Sequence, residues 1–170
     1  MLKGEKRREQ ILAAAEEMFY QNGYERTTVS DIITALGLSK GGFYHHFESK
    51  EALLQAICDR KAEDSYAAAR RAVDDCPGSW ADKFNAMFDQ YGMWQSGNAD
   101  FMGLLIRVAY REDNLIMRDK LKRKSMGLML PLVEEIVKGG VAAQEFITPY
   151  PEGTGMLVLQ LGSSFSDSIA

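Results

Sequence analysis

The chain holds two cysteines, Cys58 and Cys76, and two histidines, the adjacent His45 and His46. So few sulfur and imidazole ligands exclude a disulfide framework, and a four-ligand zinc site would need carboxylates to complete it. The cysteines are expected as reduced thiols. No apolar run approaches the roughly 18 residues of a membrane-spanning helix, so no membrane contact is expected. The opening Met-Leu-Lys-Gly-Glu-Lys-Arg-Arg lacks the apolar stretch and cleavage site of a secretory signal, so a cytoplasmic protein is expected. Strict alternation of apolar and polar residues never lasts more than a few positions, which leaves little for strands. There is no internal repeat, low-complexity tract or heptad seam. A Ser/His/Asp arrangement, a glycine-rich phosphate loop, a metal motif and a paired-carboxylate signature are all missing. Neither an enzyme nor a cofactor is therefore expected.

Basic charge is also short. The net charge of −4 argues at first against a nucleic-acid partner, but its distribution is uneven. Residues 1–50 carry seven basic groups (Lys3, Lys6, Arg7, Arg8, Arg26, Lys40, Lys50) and seven acidic ones, and the remainder carries 13 and 17. A neutral front with local basic clusters and an acidic back is compatible with a DNA-binding head on an acidic regulatory body.

What is present reads as helix. With 170 residues, 46% apolar and 26% charged, the chain suffices for one sizeable domain or for a small domain continuous with a larger one. Ile11, Leu12, Ala15, Met18 and Phe19 form one apolar stripe on a first helix from Lys6 to Gln21, closed at Asn22-Gly23. Thr28-Val29-Ser30-Asp31 has capping-box form, and Val29, Ile32, Ile33 and Leu36 line a short second helix ended by Gly37. Leu38 is expected as a buried staple. Ser39 caps a third helix from Lys40 to Phe47, with Phe43 and Phe47 as core plugs. Ser49 caps a fourth, through Val73, and Pro77-Gly78 breaks it. A fifth helix begins at Trp80, a sixth holds Phe101 to Val108, and a seventh runs from Asp113 to Lys138. Pro131 should kink or interrupt the seventh, and Gly139-Gly140 should end it. An eighth runs from Glu152 to about Phe165. The expected fold class is all-α, with a helix-turn-helix domain over 1–50 and a second helical domain over 51–170, linked by the helix over 49–73.

Two short helices separated by Gly37-Leu38-Ser39 have the spacing of a helix-turn-helix. One helix fits the major groove, where base edges expose a readable pattern, while its partner braces it from the backbone. The reading helix must be polar and sparsely filled on its outer face. Gly41-Gly42 meets that need at about 1 kcal/mol of helix stability per glycine. A flexible loop without a ligand is the plainer alternative.

The stretch from Leu36 to Leu53, Leu-Gly-Leu-Ser-Lys-Gly-Gly-Phe-Tyr-His-His-Phe-Glu-Ser-Lys-Glu-Ala-Leu, resembles the DNA-binding signature of the TetR family of bacterial regulators. So does Ile11-Leu12-Ala13-Ala14-Ala15 with Phe19, Asn22-Gly23-Tyr24, Thr27-Thr28-Val29 and Ile32. The resemblance covers about the first 55 residues almost without gaps. Farther on it is one of helix order, with Lys138-Gly139-Gly140-Val141-Ala142 and Phe146 resembling the turn before the eighth helix.

The resemblance implies a DNA-binding transcriptional regulator, a repressor released by a small molecule. It implies that Thr28, Val29 and Ser30 lie against the sugar-phosphate backbone and that Lys40, Gly41 and Gly42 face bases. Tyr44 and His46 would contact phosphates, His45 bases or backbone, and Lys50 a phosphate. The residues alone leave other readings open: packing for Tyr44, a metal for His45-His46, and either a DNA-reaching arm or a solvated helix start for Lys3, Lys6, Arg7 and Arg8. Arg70-Arg71 and Lys120-Lys122-Arg123-Lys124 read as solvated faces.

The body is rich in flexible and aromatic apolar side chains, which can enclose an adaptable cavity or simply fill a core. The candidate pocket comprises Phe84, Met87, Phe88, Tyr91, Trp94, Met102, Leu105, Met126 and Met129, and other members of the aromatic and methionine set are Trp80, Met93, Phe101, Tyr110 and Met117. Asn85, Asp89, Gln90, Gln95 and Arg107 are candidate orienting groups for an unknown small-molecule effector. The resemblance further implies a homodimer paired through its last helices on palindromic double-stranded operator DNA, with the effector moving the fourth helix. The family generally has a ninth helix, whereas this sequence stops at Ser168-Ile169-Ala170, so truncation or a different pairing is expected. The competing reading is a protein-interaction module with a vestigial helix-turn-helix.

Overall fold

A computed structural model describes residues 3–109 and 114–169, with the side chains of 4–109 and 114–161. Among them eight helices and no strand occur: α1 (Lys3–Asn22), α2 (Val29–Ala35), α3 (Lys40–Tyr44), α4 (Lys50–Asp75), α5 (Trp80–Gly97), α6 (Ala99–Ala109), α7 (Leu115–Ala142) and α8 (Pro151–Ile169). Tyr110 and Asp113, the latter the expected start of the seventh helix, lie outside the described residues. The chain groups into two compact units, one formed by residues 1–60 with 100–117 and the other by 61–99 with 118–170. The fourth helix continues unbroken from the first unit into the second.

In the first unit, four members of the α1 stripe, Ile11, Leu12, Ala15 and Phe19, are buried and Met18 is half-buried; Ile32, Phe43, Phe47, Leu53, Leu54 and Ile57 are buried as well. Each of the leucine, isoleucine and phenylalanine side chains among them stabilises the fold by about 1.5–3 kcal/mol through removal from water. Phe101, Leu104 and Val108 of α6 are buried as well.

The second unit centres on Ala69 and Val73 of α4, Met87 of α5, and Leu132, Val133, Ile136 and Val137 of α7. Tyr66, Trp80, Phe84, Met129, Val141, Phe146, Val158 and Leu159 pack around them.

Of the two outcomes expected at Pro131, a kink or an interruption, the interruption does not occur: α7 runs through it. That proline is exposed, and the carbonyl it leaves without a partner belongs to Gly127, four residues earlier and also exposed, where water can serve it. The apolar residues that follow, Leu132, Val133, Ile136 and Val137, are fixed in the core and hold the helical path.

Nor do Gly139 and Gly140 end the helix, which runs on to Ala142. They are close-approach positions: a Cβ on Gly139 would overlap the Trp80 ring, and one on Gly140 the Phe146 ring. The actual stop is a Schellman turn, with the Gln144 amide donating to the Val141 carbonyl (3.1 Å) and the Glu145 amide to that of Gly140 (2.8 Å). Gln144 takes the left-handed conformation there, φ 62°.

Candidate nucleic-acid interface

Sequence chemistry sets each joint of the first unit. Thr27, buried in the α1–α2 turn, donates its hydroxyl to the carbonyls of Gly23 (2.9 Å) and Met18 (3.2 Å). Thr28 then opens α2 with a full capping box, its Oγ1 accepting from the Asp31 amide while the Asp31 carboxylate accepts from the Thr28 amide. The Thr28 hydroxyl also donates to that carboxylate (2.7 Å), and this bond, with the one from the Thr28 amide, holds the Asp31 carboxyl below the ordinary carboxylate range. At the far end Gly37, φ 59°, closes α2 in a second Schellman turn, with the Leu38 amide reaching the Ile33 carbonyl (3.0 Å) and the Gly37 amide that of Thr34 (3.2 Å). Leu38 is half-buried rather than enclosed.

The third helix is shorter than its sequence pattern predicts, ending at Tyr44 rather than Phe47. Its last turn tightens instead of stopping: the His46 amide donates to the Phe43 carbonyl (2.9 Å), and so does that of Phe47 (3.1 Å). Phe43 and Phe47 both remain buried, which pins the helix by one face. Its other face is left to Lys40, Gly41, Tyr44 and His45, all exposed, with Gly42 and His46 half-buried.

The two glycines differ. A Cβ on Gly42 would press on the capping Ser39 Oγ at 3.1 Å, and the Gly42 amide itself donates to that oxygen (3.0 Å). A Cβ on Gly41 would meet nothing within 4 Å. The chain's own packing thus accounts for a small residue at 42 but not at 41.

Lys40 makes no ion pair with any described residue. Tyr44 rests edge-on against Phe43, with ring centres 5.4 Å apart, and its hydroxyl makes no hydrogen bond to the described residues. The His45 and His46 rings meet edge-on at 5.0 Å. Among the described residues no third metal-ligating side chain joins them. Val29 is half-buried and Ser30 exposed at the start of α2.

Lys50 is engaged within the chain. Its Nζ donates to the Tyr24 carbonyl (3.0 Å) and stands 4.2 Å from the centre of the Tyr24 ring. Of the N-terminal basic residues, Lys6 is exposed without a described partner, Arg7 donates to Gln10, and Arg8 lies 5.0 Å over the Phe47 ring. The side chain of Lys3 is outside the described set.

Sequence reasoning missed two ties. Arg60 of α4 binds both Glu9 (3.1 Å) and Glu16 of α1, and Glu16 also accepts from the Tyr20 hydroxyl (2.7 Å). Burial, reinforced by Glu16, raises the Tyr20 hydroxyl well above its ordinary pKa. The other tie is that of Lys50 to Tyr24. Both join residues distant in sequence, for which no local pattern exists.

The candidate pocket residues are spread over both units. Met87 is 2% exposed inside the core of the second, with Phe84 and Met129 packed on it. Phe88 and Tyr91 are exposed on α5, and Trp94 and Met126 are half-buried. Met102 and Leu105 are half-buried on α6, in the first unit. A surface depression beside Lys138 and Pro149 to Gly153 includes none of them.

Residues 11–57 match the family of bacterial regulatory proteins called the tetR family. The transcriptional regulator TtgR of Pseudomonas putida is 40% identical over 70 residues, 40% of this chain and 33% of that protein. A transcriptional repressor of Mycobacterium tuberculosis is 40% identical over 65 residues, 38% of this chain and 35% of its own. The matched stretch thus spans about one third of the length of these curated relatives. A solved tetR-family regulatory protein from Rhodococcus shares the fold over 95% of this chain and 82% of its own, with a TM-score of 0.61 and 25% identity. The fold and the exposed third helix define a helix-turn-helix DNA-binding module on an all-α body. Residues 11–57 are thus similar to the tetR-family domain, and the whole chain shares the fold of solved tetR-family regulators.

Proposed function

We propose that the chain is a transcriptional regulator that binds palindromic operator DNA as a homodimer. It represses, and it leaves the operator when a small apolar or amphipathic molecule binds. The observation that carries the DNA-binding half is Gly41, a helical glycine with open space where a side chain would be. A helix loses stability by having glycine there, and the loss makes sense where another molecule must come close to the backbone. Unpaired Lys40, the free Tyr44 hydroxyl and His45-His46 surround that position with groups suited to phosphates and base edges. Thr28, Val29 and Ser30 would brace against the sugar-phosphate backbone from the start of α2.

Pairing is supported by α8, which has two apolar faces. Val158 and Leu159 pack on the core of their own unit, while Met156, Leu157 and Leu161 are exposed. Two protomers joined there would set their recognition helices about 34–36 Å apart, one turn of the duplex. Repression is supported by the name of the Mycobacterium tuberculosis relative. Effector release is supported by the aromatic surface of α5, where Phe84 and Phe88 meet with ring centres 4.9 Å apart and Tyr91 is exposed. An effector held by the second unit would act through α4, with a coupling of about 1–3 kcal/mol.

The test is retardation of the DNA upstream of the chain's own gene. Wild type is expected to shift a palindromic fragment, and Lys40→Ala to bind it at least about tenfold more weakly with a shallower salt dependence. Equal binding by Lys40→Ala at every salt concentration would remove Lys40 from the interface. No shift of any fragment by wild type would end the reading.

A further inference from the structure

Two imidazoles stand side by side at the end of α3, and the chain supplies neither with a polar partner. The His45 amide donates to the Gly41 carbonyl (3.0 Å), so His45 lies one helical turn from the open face of Gly41 and is exposed as that glycine is. His46 follows it, half-buried. Each ring meets the other edge-on at 5.0 Å, and neither forms a hydrogen bond or an ion pair with a described residue.

The charged and titratable groups of the neighbouring elements are directed to other partners or are cationic. On α3 itself stand Lys40 and Tyr44, and Glu48 follows in the next turn. Asp31 of α2 is held by the Thr28 cap. At the start of α4, Lys50 donates to the Tyr24 carbonyl and Glu51 accepts from the Tyr24 hydroxyl (3.5 Å). Arg8 of α1 lies over the Phe47 ring. No described carboxylate bonds to either imidazole. Nothing within the chain thus favours a positive charge on the pair, whereas a phosphate at contact would. An opposite charge at that range favours the charged form by about tenfold or more.

We propose that His45 and His46 couple DNA binding to protons: the complex forms with protons taken up from solvent onto these imidazoles. This rests on the DNA-binding reading above and adds a regulation to its surface. Histidine is the side chain whose charge changes between about pH 5 and 8. The bound state holds more protons than the free one, so affinity rises as the pH falls through that range. Each proton adds a positive charge at the phosphates, so the binding also becomes more sensitive to salt.

The test begins with wild-type protein enriching a duplex from a random-sequence pool. Affinity for that duplex is then measured by fluorescence anisotropy at about pH 7.5 and about pH 6.0, each between about 50 and 200 mM salt. Wild type is expected to bind about tenfold more tightly at the lower pH, with a salt slope steeper by about 0.9 for each phosphate newly neutralised. The double variant His45→Gln with His46→Gln keeps hydrogen-bonding groups but cannot gain charge. Its affinity should change by no more than about twofold between the two pH values, at a constant slope. A double variant with the full wild-type rise would overturn the proposal, and so would a wild-type rise without a steeper slope. Should the double variant not fold, the wild-type slopes decide alone. An enriched duplex bound equally at both pH values would refute the proposal and leave the DNA-binding reading standing. A wild type that enriches no duplex would refute both.

Discussion

Gly139 lies so close to Trp80 that even a methyl group has no room, and Gly140 stands in the same relation to Phe146. Gly139→Ala is therefore expected to destabilise the protein by about 1–3 kcal/mol, the usual effect of overpacking, measured by urea unfolding. Gln144→Gly should act in the opposite direction. A left-handed residue with a side chain costs about 1 kcal/mol, so the substitution is expected to raise the unfolding midpoint.

Acid sensitivity also has a residue-level source. Asp31 has a carboxyl lowered from its ordinary value of 3.8 by the bonds from Thr28. Its contribution is complete above that ordinary value and is lost as the pH falls through the lowered one. The stability difference between wild type and Asp31→Asn should therefore shrink steadily below about pH 4, measured by unfolding at stepped pH. The Thr28–Asp31 box was legible from four consecutive letters. The glycine pair was not, because a glycine that ends a helix and a glycine that admits a neighbour's ring look alike until the ring is located.

At the scale of elements, caps and turns were readable because their chemistry is local. Thr28, Gly37, Ser39 and Ser49 each act within a few residues of themselves. One feature escaped: the early end of α3 follows from tightening around the buried Phe43 and Phe47, an anchoring not visible in periodicity. Whether α7 would pass Pro131 or stop there was left open by the sequence, and it passes because the apolar residues after it are anchored in the core. The join of α1 to α4 through Arg60, Glu9 and Glu16 likewise has no local signature. Arg60→Met should remove it, and since these side chains are partly exposed the expected loss is about 1–2 kcal/mol by urea unfolding. An unchanged midpoint would mean that the pair contributes no more than an ordinary surface bridge.

For the whole molecule, the helix-turn-helix and all-α class were within reach of the sequence, since both depend on short-range spacing. The grouping of residues 100–117 with the N-terminal helices was not, because it depends on which apolar faces meet. The pairing proposed through α8 belongs to this scale. Leu157→Asp, placed on the exposed face, is expected to convert the dimer to monomer in sedimentation without lowering helix content. A dimer that survives the substitution would place the contact elsewhere.

The central claim, that the thinned surface of α3 is shaped for DNA, is tested most directly by Gly41→Ala, followed by unfolding and by anisotropy on the enriched duplex. Alanine enters open space and suits a helix better than glycine, so stability should rise by about 0.5–1 kcal/mol. Affinity should nevertheless fall, by about tenfold or more, because the added methyl stands where base edges must approach. A more stable protein that holds the duplex as tightly as wild type would contradict the account.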